Sequence, residues 1–234
     1  MTGTLAELWV AALVLLATHF GISSTSLRPT LVGAIGEGAY RALYSVIALA
    51  AMVWLVMAFD RAPFGPVLWD LGAAGDAVVT IVMPIALVLL VAGVSQPNPT
   101  AVGSEGRLSE PGIARGVLRI TRNPVMWAIG LWAVAHLAAN GELRAIGLFG
   151  SLAVLALLGA SLIDLKNRKL RPRDFAPLEM STSNLPFLAI VQGRQSFAKA
   201  MREIGILRIV AVVVLYAGLL HGHAWLFGVA AYPG

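Results

Sequence analysis

Long apolar stretches separated by polar connections dominate the chain. A helix that crosses a bilayer needs about 20 mostly apolar residues, and the hydrophobic pattern contains six stretches near that length. They are Leu8–Ile22, Tyr40–Phe59, Asp76–Val94, Pro124–Ala139, Leu143–Ile163 and Leu207–Gly228. The pattern predicts an all-α, polytopic membrane helix bundle of about six transmembrane helices. A stricter treatment of the ragged ends and long polar connections gives five or seven spans.

The composition supports a membrane protein and limits its chemistry. Hydrophobic residues make up 58% of the 234 residues and charged residues 12%, whereas soluble domains average roughly half and a quarter. The absence of cysteine excludes disulfides, thiolate haem ligands and the usual zinc frameworks, so histidine and methionine are the remaining soft ligands. The net charge of +5 is first an orientation signal in such a chain. We therefore expect contact with the lipid bilayer and no nucleic-acid partner.

Basic residues are distributed unequally between the connections. Fifteen of the 17 lysines and arginines lie in the first, third and fifth connections or within two residues of the span ends that border them. Because cytoplasmic loops of membrane proteins carry the excess of basic residues, these connections are predicted to face the cytoplasm. With six spans, both termini then lie on the periplasmic side.

The third connection ends in the motif RITRNP, which leads into the fourth apolar stretch. Arg119 and Arg122 are expected at the level of the lipid headgroups, where they could pair with phosphate. Asn123 suits a helix N-cap whose side chain accepts a backbone hydrogen bond, and Pro124 suits the first helical turn. The preceding residues EPGIARGVLRI have near-helical apolar spacing. They predict a short interfacial helix, with a loose basic loop as the alternative.

The fifth connection, residues 165–206, combines basic clusters with short apolar runs that cannot span a membrane. Phe197, Met201 and Ile204 can share one face of a helix whose other sides carry basic residues. We expect a cytoplasmic interfacial segment that lies as a lid over the end of the bundle. A simple membrane anchor is the alternative.

Four histidines are the titratable groups of greatest interest within the apolar stretches, where such groups are costly and often functional. His19 lies near the inner end of the first span, whereas His136, His221 and His223 lie near outer ends. Thirteen residues separate Asn123 from His136, or about 20 Å along a helix. His19 and Asn123 therefore share the inner layer. A two-histidine metal site, such as His136 with His221, is open only on the outer side; hydrogen-bonded interfacial histidines are the alternative.

His19 is followed by a run of small hydroxyl residues, Ser23 to Ser26. Such residues allow helices to approach closely and can line polar cavities. The chain contains no hydrolase elbow, phosphate loop, zinc-protease helix or paired-carboxylate motif. Catalytic residues therefore stay unassigned from motifs alone.

Several blocks of the sequence resemble the NnrU family. They begin with HFGISSTSLRPTLVGAIGEGAYRALYSVIALAAMVWLV and include GVLRITRNPVMWAIGLWAVAHLAANGE, TSNLPF followed by GR, and WLFG near the end. The family comprises bacterial membrane proteins linked to nitrite and nitric oxide reduction, with zeta-carotene isomerase as a distant member. The resemblance implies a single NnrU-like transmembrane domain over residues 1–234, in a bacterial inner (cytoplasmic) membrane.

The resemblance also implies a cofactor site. The isomerase is a haem b protein with histidine axial ligands, and one of these corresponds to His19. The other falls in an Arg-His-Pro step that here is Arg122-Asn123-Pro124, and Arg28 and Arg122 are implied as neighbouring cofactor-binding residues. Three outcomes stay open: a haem on His19 alone, a haem on the outer histidines, or no haem.

These considerations leave three hypotheses for function. The first is a haem-binding accessory or sensor protein of nitrite and nitric oxide reduction, in which the missing ligand opens an iron position for a diatomic gas. The second is a haem-dependent carotenoid cis–trans isomerase, which would bind a hydrophobic polyene between its helices. The third is an accessory membrane protein without a cofactor.

Overall fold

The computed structural model describes residues 3–23, 25 and 27–231. All six apolar stretches are helical, which confirms the all-α fold class. The long helices are α1 (Leu5–Ser23), α3 (Glu37–Arg61), α4 (Ala73–Ser95), α5 (Pro124–Ala139), α7 (Ser151–Leu170) and α11 (Ile206–Phe227). The single turn α6 (Leu143–Ala145) continues through a π-helical turn, Ile146–Gly150, into α7. Within the described residues, five helices are long and apolar enough to cross a membrane, and α5 is the shorter apolar one.

Short elements distinguish the two ends of the bundle. They are α2 (Leu27–Ile35), the antiparallel strands β1 (Val67–Trp69) and β2 (Gly141–Glu142), α8 (Pro172–Ser181), α9 (Leu188–Val191) and α10 (Phe197–Ile204), with 3-10 turns at Glu105–Ser109 and Gly116–Arg119. We call the end that carries β1 and β2 the strand end. The opposite end, formed by residues 27–36, 96–123 and 171–205, is the basic end. The three connections rich in lysine and arginine thus lie together at the basic end. With five helices long and apolar enough to cross a membrane among the described residues, the chain is a multi-pass membrane protein.

The centre of the bundle is built from small and aliphatic side chains. Leu8 and Leu15 of α1 pack with Leu55 of α3 and Leu152 of α7 in one buried cluster. Helix α5 lies between α4 and α7, and it approaches α4 closely because Gly93 leaves room. A Cβ atom at Gly93 would lie 3.0 Å from Val125 and 3.1 Å from Pro124. Small residues permit this close approach of helices in membranes, and it fixes the N-terminus of α5 against the end of α4.

Helix α11 is attached to the bundle through a proline-containing helix. Pro84 lies inside α4, and because proline has no N–H, the carbonyl of Thr80 loses its helical donor. The Tyr216 hydroxyl of α11 donates to that carbonyl at 3.1 Å. A side chain of the neighbouring helix therefore satisfies the group that the proline frees, as membrane helices require.

The prediction of an interfacial helix before α5 is wrong. The structure has a 3-10 turn at Gly116–Arg119, and Ile113, Val117 and Ile120 are buried within the protein. Val117 and Ile120 pack against Ala200 and Ile204 of α10. Their apolar side chains are therefore covered by the fifth connection rather than by lipid, so an amphipathic helix on the bilayer surface is not needed.

Candidate functional site

A buried ion pair lies where α5 begins. The Arg122 side chain donates from Nε to Asp164 Oδ2 of α7 at 2.8 Å, with Nη2 also 2.8 Å from that oxygen. Nη1 donates to the Thr182 carbonyl at 3.1 Å. Arg122 is only 6% exposed, so the prediction that it pairs with lipid phosphate is wrong. The protein itself supplies the acceptors, because α7 and the fifth connection close over the guanidinium.

Asn123 completes this network in an unexpected way. It stands at the N-cap position of α5, but its side chain accepts no capping hydrogen bond. Instead Nδ2 donates to Asp164 Oδ1 at 2.9 Å and lies 3.3 Å from both Ala160 O and Asn184 Oδ1. Asn184 also accepts from the Trp127 indole at 3.0 Å. Three acceptors orient the amide, and its Oδ1 is left buried with no hydrogen-bond partner among the described residues.

A second ion pair fastens the connections at the basic end. Arg119 donates from Nε and Nη2 to the two oxygens of Glu203 at 2.7 and 2.9 Å, and the Gly116 N–H donates to Glu203 at 2.6 Å. We call these contacts the Arg119–Glu203 clasp. Arg119 is thus paired within the protein rather than with lipid phosphate. The hydrogen bond from Arg119 holds the pKa of Glu203 below its ordinary value, because it favours the charged carboxylate.

Gln96 joins the clasp to the end of α4. Its Oε1 accepts from the Val117 N–H at 3.0 Å, and its Nε2 donates to the Glu203 carbonyl at 2.9 Å. Gly116 has φ +56°, and a Cβ atom there would overlap the Gln96 side chain. Glycine therefore allows both the left-handed turn and the close approach that bring the third and fifth connections together.

A cavity of about 630 Å³ lies beside the buried network. Val94 of α4, Val125 and Met126 of α5, and Ile163 of α7 form its apolar wall, and Asn123 is also part of the lining. The polar part of the lining consists of Ser95, Gln96, Asn98, Thr100, Ser104 and Arg107. Ligand pockets typically measure about 300–1,000 Å³ and combine apolar walls with a few polar groups. The cavity therefore has the size and character of a site for an amphiphilic or apolar molecule.

His19 lies at the same depth as Asn123 but in a different environment. Leu8 of α1 packs on Gly147 near the strand end; His19 follows Leu8 by eleven residues, and Ala160 follows Gly147 by thirteen. These separations correspond to about 17 and 20 Å along the two helices. The His19 ring donates from Nδ1 to the Leu15 carbonyl at 2.8 Å and meets Tyr44 of α3 edge-on.

These surroundings do not fit a haem held between His19 and Asn123. The Asn123 Nδ2 is engaged by Asp164, and an amide is a weak iron ligand compared with imidazole. Within the described part of the chain, Asn123 lines the 630 Å³ cavity and His19 does not. His19 instead contacts α3, whereas the Asn123 side chain contacts α7. The two residues share a layer without facing a common macrocycle site.

Arg28 is held in a charged cluster on the His19 side of the bundle. It donates to Glu37 Oε1 at 2.9 Å and lies over the Tyr40 ring at 5.6 Å. Tyr40 stacks with Tyr44, the residue that meets His19. Arg28 is therefore connected to His19 through two tyrosines. Of the hydroxyl run between them, positions 24 and 26 lie outside the described residues.

The histidines predicted near the outer ends of their spans make different contacts. His136 donates from Nδ1 to the Trp132 carbonyl at 2.8 Å and stacks on Phe149, with ring centroids 4.9 Å apart. His221 is exposed on α11, and His223 donates from Nδ1 to the Val229 carbonyl at 2.8 Å. Among the residues described, no group of three or more histidine, aspartate or glutamate side chains could hold a metal ion.

Three site residues had no role in the sequence-based hypotheses. Asp164, Asn184 and Glu203 supply the acceptors on which Arg122, Asn123, Trp127 and Arg119 depend. The sequence offers a signal for two of them. Asp164 is an isolated acid at the end of an apolar span, and Asn184 lies in the TSNLPF block. Neither signal identified the partner residue.

Comparisons with known proteins relate the chain to one family. The family model described as "NnrU protein" matches residues 7–231. The chloroplastic 15-cis-zeta-carotene isomerase of Arabidopsis thaliana is 28% identical over 218 residues, which cover 92% of this chain and 59% of that protein. The Zea mays protein of the same name is 27% identical over 218 residues, covering 90% and 58%. The chain thus spans less than two thirds of the length of these curated relatives. No solved structure matches.

Proposed function

Because the chain belongs to the NnrU family, we propose that it is an integral membrane protein that binds an elongated apolar ligand of the polyene class and acts on it as a cis–trans isomerase. The observation that carries this proposal is the 630 Å³ cavity at the basic end. The names of the two curated relatives, which describe isomerases of a cis carotene, support the same ligand class. We further propose that the basic end faces the cytoplasm of a bacterium and that the protein resides in the inner membrane.

The walls of the cavity suit such a ligand. Val94 lines the cavity and is 68% exposed on the outer surface of α4. The edge of the cavity is therefore formed by a side chain that lipid can contact. Val125, Met126 and Ile163 continue the apolar surface inward to the buried network. Lipid tails are as apolar as these side chains, so an apolar ligand keeps a hydrocarbon environment when it passes from the bilayer to the cavity. A polyene could therefore enter from the bilayer and remain in an apolar environment.

Replacing Ile163 by phenylalanine tests this site. The added ring should occupy part of the cavity, and we expect binding of a cis polyene to weaken by about tenfold or more, since overpacking typically costs about 1–3 kcal/mol. Fluorescence quenching of the purified protein in lipid nanodiscs measures the affinity, and chromatography of the extracted polyene measures isomerisation. Leu158→Phe, on the exposed surface of the same helix, is the matched control. Equal affinities for the two variants would contradict the proposed site.

A second proposal retains haem, bound by His19 alone, in an accessory or sensor protein of nitrite and nitric oxide reduction. One observation favours it: the Nδ1 proton of His19 is directed to the Leu15 carbonyl, and a backbone carbonyl orients the ring of many metal-bound histidines in the same way. A bound haem would supply redox chemistry and affinity for a diatomic gas. Here the residues of this chain would orient the imidazole and provide the charged neighbourhood of Arg28.

The absorption spectrum of the purified protein tests the haem proposal. Protein expressed with added haem precursor is expected to show a Soret band that disappears in His19→Ala and persists in His136→Ala. Far-UV circular dichroism checks that both variants retain their helices. A colourless preparation under these conditions, or a band that survives His19→Ala, would refute the assignment to His19.

A further inference from the structure

Two residues at the end of α4 line the cavity and are hydrogen-bonded to the segment around α10. Gln96 donates from Nε2 to the Glu203 carbonyl at 2.9 Å, and its Oε1 accepts from the Val117 N–H at 3.0 Å. The Ser95 hydroxyl accepts from Arg208 Nε at 2.7 Å, and the Ser95 carbonyl accepts from Nη2 of the same arginine at 3.2 Å. Both residues belong to the polar lining of the 630 Å³ cavity. Part of the cavity wall is therefore held in place by residues on either side of the joint between α10 and α11.

Helix α10 lies between two glycines that can act as hinges. Gly193 and Gly205 have φ angles of 72° and 83°, which glycine adopts without strain, and residues at the ends of elements absorb the backbone changes of hinge motions. Of the residues in α10, only Ala200 and Ile204 are buried. With so little buried surface, the attachment of α10 to the bundle depends strongly on the Arg119–Glu203 clasp.

Opening of the clasp would release the Gln96 side chain beside the cavity. As α10 moves away, Nε2 loses the Glu203 carbonyl, and the freed amide borders the cavity that Gln96 lines. With the cavity filled by an apolar ligand, this amide would face hydrocarbon without a partner, and burying an unpaired amide is costly. A bound ligand therefore makes opening of the clasp less favourable.

We propose that ligand binding in the cavity and closure of the Arg119–Glu203 clasp are coupled, so that α10 acts as a regulatory lid on the polyene site. Coupling between two sites is reciprocal. An agent that opens the clasp from the basic end therefore lowers the affinity of the cavity by the same factor by which the ligand favours the closed clasp. This inference rests on the proposed function and specifies how its site is regulated.

Protection of a buried cysteine by the ligand tests the coupling. The native chain has no cysteine, and Ala200 is 0% exposed, so a charged thiol reagent should reach Ala200→Cys only when the clasp opens. In nanodiscs, 9-cis-β-carotene at about ten times its measured dissociation constant should slow alkylation about tenfold, as expected when a ligand binds only the closed form. An unchanged rate at this occupancy would overturn the proposal.

Ile163→Phe controls for effects of the carotene on the bilayer. Since this variant is expected to bind about tenfold more weakly, the same carotene concentration should slow alkylation of Ala200→Cys only about twofold in it. Equal protection with and without Ile163→Phe would show that the carotene does not act through the cavity. That result would overturn the coupling as well.

Gln96→Ala tests the connection between clasp and cavity wall without any ligand. It removes the hydrogen bonds to Glu203 and Val117, and alkylation of Ala200→Cys should accelerate about tenfold. Gln192→Ala is the matched control, because this exposed glutamine of the same connection accepts from Arg194, two residues away. It should change the rate by less than about threefold. Equal rates for the two variants would overturn the role of Gln96.

The two measurements separate this inference from the proposed function. If 9-cis-β-carotene does not bind the unmodified protein, the proposed function fails, and the alkylation rate of Gln96→Ala still decides whether the wall and the clasp are linked. If the carotene binds but gives no protection, the polyene site stands and the coupling fails. At about ten times its own dissociation constant, protection in Gln96→Ala should fall from about tenfold toward unity. Full protection in that variant would overturn the role of Gln96.

Discussion

Replacing Asp164 by leucine is expected to destabilise the protein by about 3–5 kcal/mol, the usual cost of leaving one partner of a buried ion pair uncompensated. Arg122 would lose its hydrogen-bonded carboxylate and keep only Glu179, whose Oε1 lies 3.9 Å from Nη2, and the Asn123 Nδ2 would lose its shortest acceptor. Both groups are almost completely buried, so water cannot replace the lost hydrogen bonds. The measurement is chemical unfolding in detergent, followed by tryptophan fluorescence.

Two further variants distinguish loss of the buried ion pair from a general destabilisation that any substitution at the basic end would cause. Asp174→Leu removes an exposed acid of α8 and should change stability by about 0.5 kcal/mol or less. The double variant Arg122→Met with Asp164→Leu removes both charges and should recover much of the lost stability, because apolar replacements of buried pairs are often neutral. If Asp164→Leu were no more destabilising than Asp174→Leu, the buried pair would not stabilise this fold.

Replacing Glu203 by glutamine is expected to open the clasp between the third and fifth connections. Hydrogen bonds to charged groups contribute about 1.5–3 kcal/mol, and because the Glu203 side chain is 27% exposed, we expect a loss of about 2 kcal/mol after solvent screening. The native chain has no cysteine, so Ala200→Cys on the buried side of α10 provides a single reporter. Its alkylation should accelerate about 30-fold when Glu203→Gln is added, since 1.4 kcal/mol corresponds to tenfold.

The control for this experiment is an ion pair in a more exposed position. Arg107 and Glu110 are 3.5 Å apart with roughly half-exposed side chains, and such pairs contribute about 0–1 kcal/mol. Glu110→Gln should therefore accelerate alkylation by less than about fivefold. A comparable acceleration by both variants would contradict a specific role of Glu203.

Acid should open the same clasp. The pKa of Glu203 lies below the ordinary glutamate value of 4.5, chiefly because Arg119 donates to the carboxylate. A group whose pKa is lowered by folding stabilises the protein above its unfolded pKa and loses this contribution as the pH falls through the folded pKa. Alkylation of the residue 200 reporter, normalised to unfolded protein at each pH, should therefore accelerate below about pH 4.5. This dependence should be absent in Glu203→Gln.

Sequence reasoning predicted the helices because apolar length alone determines which segments can cross a bilayer. It placed His19 and Asn123 at one depth for a related reason, since helical rise converts residue spacing into distance. It failed for Arg119 and Arg122. Arginines before a membrane helix usually face headgroups, and their carboxylates lie 84 and 42 residues further along the chain. The periodicity of a sequence indicates how deep a residue lies in the membrane and on which side of its helix. Which carboxylate pairs with an arginine depends instead on how the connections fold over one another.

Asn123 shows the same limit at a single side chain. Its position before Pro124 correctly indicated the start of a helix. Capping was the expected role because local backbone donors are the only partners that a sequence shows. In the structure the amide nitrogen instead donates to nearby acceptors of α7 and Asn184, and the oxygen makes no capping hydrogen bond. A side chain predicted to cap one helix thus links α5 with α7 and with the fifth connection instead.

The proline in α4 has a consequence for how the protein is made. Until the ribosome has produced Tyr216, the Thr80 carbonyl beside Pro84 has no donor from α11, because its partner is the hydroxyl of the last long helix. The earlier helices can pack against one another during synthesis, whereas the Thr80 carbonyl receives the Tyr216 hydrogen bond only later. This contact between α4 and α11 can therefore form only after α11 has been inserted and has docked.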